Sequence, residues 1–230
     1  MFVNLRDPAE RLRAGQLYRS AQPGALAPDR VAAIVAGLGV RDIVDLRTAT
    51  EADRVPWTGL PDTVRVHHLP LGGDVIDPEP LRRITTGADL GRWYAALAAA
   101  TADRLVAIVR LIAQDGPTLV HCAAGKDRTG VAVAAVLELL GYDPEDIAAD
   151  YGLTDAAMRE VIAMVATVGD AFAFDTSGLP PILGRAPVEA MATCLAVLDA
   201  EHGGFTGLLT AHGLTEADIA ALRARFTAEE

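Results

Sequence analysis

Cys122 and Arg128 stand six positions apart, with Ala123, Ala124, Gly125, Lys126 and Asp127 between them and Thr129-Gly130 directly after. A thiol that opens a short loop and a guanidinium that closes it are the parts needed to accept a phosphoryl group by nucleophilic displacement. A phosphate monoester spreads its charge over non-bridging oxygens, so the task is mostly positioning and neutralisation. The planar fork of Arg128 can grip two of those oxygens at once. A loop that runs into a helix N-terminus adds inward backbone N–H groups and positive potential. The same surroundings favour a thiolate at Cys122 and make it nucleophilic. Gly125 permits the backbone twist that a ring of inward N–H groups requires. Thr129 is placed to donate its hydroxyl hydrogen bond to the thiolate.

A Cys-x5-Arg spacing alone is a weak signal, and its setting strengthens it. Thr118-Leu119-Val120-His121 reads as a short buried strand. Residues 131–140 are almost wholly apolar, interrupted by Glu138 and ended by Gly141, as in a buried helix packed on a sheet. His121 reads as a strand-end residue that orients the loop rather than as a base. Cys194, in an apolar run with no arginine at the matching offset, reads as core.

The leaving oxygen has to be protonated, and a carboxylic acid is the usual donor. Asp127 lies inside the loop. Asp74, with Asp77 as a third candidate, lies in a Gly/Pro-rich stretch after a β-type run at 64–69. The choice between Asp127 and Asp74 stays open at this point. His67 and His68 read as structural, and Arg19, Arg47 and Glu51 as an ion-pair network behind the site or as ordinary surface charges. No Cys/His spacing resembles a zinc site, so neither a metal nor another cofactor is expected.

The elements that must position these residues begin with strand-like runs at 17–19, 41–46 and 64–69, and a helix at 29–38 between Pro28 and Gly39. A long mobile loop is expected at 71–90, a helical region at 90–113, and only helices after the loop helix, with a Gly/Pro-rich break at 175–184. This order predicts an α/β domain spanning 1–230, a central mostly parallel sheet flanked by helices, and a helical C-terminal portion. Within 154–184, apolar residues at helical spacing, two of them methionines, precede Phe172 and Phe174. That segment reads as core packing, with a cover over the site as the other reading.

The chain has 230 residues and a formal net charge of −11 with no long basic run, which argues against nucleic acid as a partner. Two distant cysteines give no disulfide framework, so a reducing, cytoplasmic setting is expected. The N-terminus lacks the features of a secretory signal, and no apolar stretch is long enough to span a bilayer. Export by a route without such a signal is left open.

Residues 121–130, His-Cys-Ala-Ala-Gly-Lys-Asp-Arg-Thr-Gly, resemble the signature of the atypical bacterial tyrosine phosphatases, among them the mycobacterial protein tyrosine phosphatase B type. Asn4-Leu5-Arg6-Asp7, residues 15–20, Asp45-Leu46-Arg47 with Glu51, Asp150-Tyr151 and Gly213-Leu214-Thr215 resemble further stretches of that family. The resemblance implies a cysteine-phosphatase fold and hydrolysis of phosphotyrosine. It extends to phosphoserine/threonine and phosphoinositides as further substrates, so the expected partner is a phosphorylated protein or lipid. It also makes Asp127 a functional position. Lys126, as a second loop cation, suits a headgroup with several phosphates. The rival readings are a sulfurtransferase-like cysteine enzyme, a non-catalytic module that binds phosphorylated ligands, and a small arsenate-reductase-like domain.

Overall fold

Strand alternation decides which side chain meets which layer. In register across the sheet, Ile43 pairs with Leu119 and Val44 with Val120. Ile43 and Leu119 pack with Val31 and Val35 on one face, while Val44 and Val120 join the larger core on the other. The structure, a computed structural model, describes residues 1–73, 78–167 and 178–227. Four strands, Leu17–Ser20 (β1), Asp42–Asp45 (β2), Arg65–His68 (β3) and Thr118–His121 (β4), form a parallel sheet in the order β1-β4-β2-β3. The expected mostly parallel sheet is thus wholly parallel among the described residues. The inner strands β2 and β4 are fully buried, as strands covered on both faces must be. Because all four run the same way, their carboxyl ends, Ser20, Asp45, His68 and His121, lie along one edge, where ligands of open α/β sheets bind.

Helix α1 (Glu10–Arg13) precedes β1, and α2 (Pro28–Gly37), α3 (Ala49–Arg54), α4 (Pro78–Arg82), α5 (Gly87–Ala100) and α6 (Ala102–Ile112) separate the strands. After β4 come α7 (Asp127–Leu139), α8 (Pro144–Gly152), α9 (Thr154–Thr167), a 3-10 turn at Pro181–Gly184, α10 (Val188–His202), α11 (Gly204–Ala211) and α12 (Glu216–Phe226). Helix α7 is apolar all round because it is surrounded: from Thr129 to Leu139 every residue except Glu138 is buried.

Three boundaries differ from the sequence expectation. The stretch at 71–90 holds α4 and the first turn of α5, and it is anchored by buried Leu81 and Ile84. The second candidate acid, Asp74, and Asp77 lie outside the described residues. Helix α5 begins at Gly87 because Thr86 and Asp89 form a reciprocal capping box, a signal overlooked among the Gly and Asp residues there. The region at 90–113 is two helices that meet at Thr101, which ends α5 and begins α6. Of the suggested cover, α9 is described, and Phe172 and Phe174 are outside the described residues. Met158 and Val161 of α9 pack with Val3, Met164 and the loop residue Ala124, so this helix braces the outside of the loop.

Gly91 lets α5 and α10 approach closely. A Cβ there would lie 2.4 Å from the Ala190 carbonyl oxygen and 2.6 Å from Thr193 Cβ. Alanine ordinarily gains about 1 kcal/mol over glycine inside a helix. Overpacking against backbone should reverse that sign, so Gly91→Ala is expected to destabilise the protein by about 1–2 kcal/mol in urea unfolding.

Candidate active site

Cys122 follows the last residue of β4, and α7 starts at Asp127, so the phosphate loop is the strand-to-helix turn itself. Its carbonyls are bound from outside. The Gln22 N–H donates to the Ala123 carbonyl (3.1 Å), and Asn4 Nδ2 (2.9 Å) and Arg19 Nη2 (3.0 Å) donate to that of Gly125. The carbonyl of Cys122 faces His121 Nδ1 at 3.2 Å. The Trp57 indole can only donate, and it does so to His121 Nε2 (3.0 Å), which leaves the proton on Nδ1, facing that carbonyl. In a planar trans peptide the carbonyl and the next N–H point opposite ways. With the carbonyls of Cys122, Ala123 and Gly125 held outward, the N–H groups of Ala123, Ala124 and Lys126 turn inward. Among the described residues, none of the N–H groups from Ala123 to Thr129 is bonded, and the first to donate is Gly130, to Lys126 (2.7 Å). Gly125 has φ +65° and a Cβ there would sit 2.4 Å from the Ser20 carbonyl oxygen, so both torsion and space require glycine.

Arg128 is aimed by Glu51. Its Nη1 and Nη2 donate to Oε2 (2.6 Å) and Oε1 (2.7 Å), and Nη1 also reaches the Leu46 carbonyl (3.4 Å). One guanidinium edge is thereby filled. Among the described residues, Nε–H and the second Nη2–H have no partner, so the other edge keeps two parallel donors of the kind that can fork onto an oxyanion. Glu51 is itself the third residue of a capping box on α3, where its Oε2 accepts from the Thr48 N–H (2.8 Å). Asp127 lies at the first turn of α7, with its side chain 27% exposed. Its Oδ1 accepts from the Tyr94 hydroxyl (2.6 Å) and lies 3.1 Å from Lys126 Nζ.

Against known proteins, the model of a family described as "Tyrosine phosphatase family" matches residues 3–228. This chain belongs to the tyrosine phosphatase family. It is 30% identical to the triple specificity protein phosphatase PtpB of Mycobacterium tuberculosis over 96% of this chain and 94% of that protein. A tyrosine-protein phosphatase of Nostoc commune is 29% identical over 96% of this chain and 78% of its own. A putative tyrosine-protein phosphatase of Cupriavidus necator is 30% identical over 95% and 81%. A crystal structure of P. aeruginosa TpbA superposes loosely, with a TM-score of 0.38 at 22% identity over 73% of this chain and 92% of that one.

Other expectations for this phosphatase-family chain meet the structure unevenly. Lys126 is 2% exposed, and its ammonium donates to the carbonyls of Leu183 (2.6 Å) and Arg185 (3.1 Å) and lies 3.1 Å from Asp127 Oδ1 as an ion pair. It ties the loop to the 3-10 turn and the residue after it. The Thr129 hydroxyl is buried with no hydrogen-bond partner among the described residues, so its expected bond to Cys122 is not formed. Arg19, Arg47 and Glu51 belong to three separate clusters rather than one network. Arg19 and Arg6 share Asp150 (2.6 and 2.7 Å), Arg47 forks onto Asp45 (2.6 Å), and Glu51 takes Arg128. His67 and His68 bind Asp42 and the Arg47 carbonyl, as structural residues do. Among the described residues no group of three or more His, Cys, Asp or Glu could hold a metal ion, and no helix is long and apolar enough to cross a membrane.

Asn4, Gln22, Trp57 and Tyr94 have parts that the motif does not reveal. Asn4 carries one usable signal: asparagine tolerates the left-handed torsion it adopts here (φ +60°). Tyr94 sits in an ordinary amphipathic helix and gives none.

Burial pushes the Cys194 thiol up to about 12, with Glu138 adding to the effect. At pH 7 iodoacetamide should therefore label Cys122 and spare Cys194, and inorganic phosphate should protect Cys122, as read by peptide mass spectrometry. Burial would raise the Asp150 carboxyl, but Arg19 and Arg6 outweigh it and hold the group below the usual carboxylate range. Glu51 is likewise held low, because Arg128 and Thr48 outweigh burial. A depressed folded-state value gives stability that is full above the unfolded value of about 4 and is lost as pH falls through the folded one. The urea midpoint should thus be insensitive to these groups near neutrality and fall below about pH 4. Asp150→Asn should cost about 3 kcal/mol at pH 7 and flatten the acid arm.

Proposed function

We propose that the chain, as one catalytic unit, hydrolyses phosphotyrosine through a cysteinyl-phosphate intermediate. The observation that carries this reading is the Arg128 guanidinium, held on one edge by Glu51 and without a partner on the other among the described residues, at the end of a loop whose N–H groups from Ala123 to Thr129 are unbonded among them. Such preorganised donors favour a trigonal, highly charged phosphoryl group and cost no rearrangement at the moment of transfer. The relatives' names, tyrosine-protein phosphatase and triple specificity protein phosphatase, support the substrate class.

In the first step Cys122 Sγ forms a bond to phosphorus while the P–O bond to the tyrosyl oxygen breaks, its electron pair staying on that oxygen. Asp127 gives its proton to the same oxygen, and tyrosine leaves. In the second step water attacks phosphorus, its proton passes to Asp127, and the S–P bond breaks with its electrons returning to sulfur. Inorganic phosphate is released and both groups are restored. Asp127 is preferred as the acid because it sits in the loop, partly exposed and already oriented. The two carbonyl bonds of the Lys126 ammonium favour a loop that holds one phosphate at a time. Phosphoserine/threonine and phosphoinositide esters are the further substrates that the test below compares.

The test is phosphate release from phosphotyrosine, phosphoserine/threonine and phosphoinositide substrates by the wild type and by Cys122→Ser. The variant is expected to lose turnover while still binding phosphotyrosine peptide. Release that survives Cys122→Ser overturns the mechanism. No release from any substrate, with transfer of sulfur from thiosulfate to cyanide, selects the sulfurtransferase reading instead. Asp127→Asn and Asp74→Asn, compared on poor leaving groups, identify the acid. The loss is expected to be about 100-fold in Asp127→Asn and small in Asp74→Asn.

A further inference from the structure

Asp127 does not stand alone. Behind it, Tyr94 and Tyr151 are both buried, with hydroxyl oxygens 2.7 Å apart and rings in edge contact at 5.7 Å. A phenol has one proton. That of Tyr94 goes to Asp127 Oδ1 at 2.6 Å, so Tyr151 must be the donor in the Tyr94–Tyr151 pair. The chain of donation therefore has one direction, from Tyr151 to Tyr94 to Asp127. Lys126 reaches the same oxygen at 3.1 Å. One hydrogen bond and one ion pair thus converge on Oδ1, while Oδ2 accepts from none of the described residues. A carboxyl group held this way has its two oxygens made unequal by position.

We propose that Tyr94, oriented by Tyr151, is a positioning residue for proton transfer. Together with Lys126 it occupies Oδ1 of Asp127, fixes the plane of the carboxyl group, and leaves Oδ2 to carry the proton to and from the reacting oxygen. This rests on the reading of Asp127 as acid and base. Tyr94 stays a phenol throughout the working pH range, because burial, then Asp127 and Tyr151, raise it well above its ordinary value. Tyr151 is raised as well, by burial first and Asp127 second. Both remain donors and do not themselves shuttle protons. Helix α5 brings Tyr94 to the start of α7 from one side and α8 brings Tyr151 from the other, and Gly130 gives the Tyr151 ring room. A Cβ at Gly130 would lie 2.9 Å from Tyr151 Cδ2.

The test is Tyr94→Phe, which removes one oxygen and keeps the ring. Its readout is kcat/KM across aryl phosphates whose leaving groups differ in basicity, because kcat/KM reports the first step and not the hydrolysis common to all substrates. A p-nitrophenolate leaves with little help, whereas an unsubstituted phenolate or a tyrosine needs its proton. The expected loss in kcat/KM is about tenfold on phenyl phosphate and less than about twofold on p-nitrophenyl phosphate. Tyr151→Phe should show the same pattern more weakly. A merely structural role would lower both substrates alike, and that result overturns the proposal, as does no loss on either. Should Tyr94→Phe fold poorly, the leaving-group dependence of Tyr151→Phe decides by the same criterion. Asp127→Asn separates the two layers of the argument. If it shows the leaving-group dependence and the tyrosine variants do not, only the positioning role falls. If it shows none, the assignment of Asp127 falls first.

Discussion

A ring of amide N–H groups can face a phosphate only if the carbonyls of the same peptides are satisfied on the outside. Most of the architecture around Cys122 answers that requirement. Asn4 and Arg19 hold the Gly125 carbonyl, Gln22 holds that of Ala123, and His121 faces that of Cys122. These clamps come from the N-terminal segment, from β1 and the residues just after it, and from the end of β4. The parallel sheet brings three carboxyl-terminal strand ends side by side, so the clamps and the loop share one edge. An unpaired buried carbonyl costs about 1–3 kcal/mol, so each clamp also selects the loop conformation over its flipped alternatives.

The clamps are in turn fixed by charge. Asp150 binds Arg19 and Arg6, which sets the guanidinium that reaches Gly125. Arg47, fully buried on Asp45, spends another donor on the Gln22 side-chain oxygen (3.1 Å), and so steadies the residue whose N–H holds Ala123. A buried ion pair is not by itself a large source of stability, because desolvation offsets much of the attraction. Here its value is positional. Glu51 shows the economy of the design: one carboxylate caps α3 and sets the angle of Arg128.

The loop was legible in the sequence because its chemistry is local: Cys122, Gly125 and Arg128 follow one another, and the strand before and the helix after carry plain apolar patterns. The sheet was legible because its strands are short runs bounded by turn residues, with Ile43, Val44, Leu119 and Val120 giving the inner two an apolar centre. The clamps were not. Asn4 and Gly125 are 121 positions apart, and nothing about either residue alone announces the contact. The structural part of Lys126 was not legible either, because its two carbonyl partners, Leu183 and Arg185, lie more than fifty positions away. The capping box at Thr86 and Asp89 was readable in principle, but the glycines and aspartates around it gave the stronger signal, that of a loop.

Preorganisation of this kind leaves a trace in the hydrogen bonding. Among the described residues, five buried side-chain polar atoms have no partner, and three belong to Arg19, Gln22 and Thr129. Arg19 and Gln22 are clamps on the loop, and Thr129 is on its exit turn. Buried donors left unmatched are costly in a resting protein and are rarely concentrated in one place by packing accident. They are expected where a fold accepts local cost to hold one loop conformation. The positive φ at Asn4 and the crowded Gly125 belong to the same account. That cost is offset elsewhere, in the continuous apolar core that runs from the sheet through α7 to α10 and α12. The buried body of α7, from Thr129 on, is what allows its first turn to remain poised in this way.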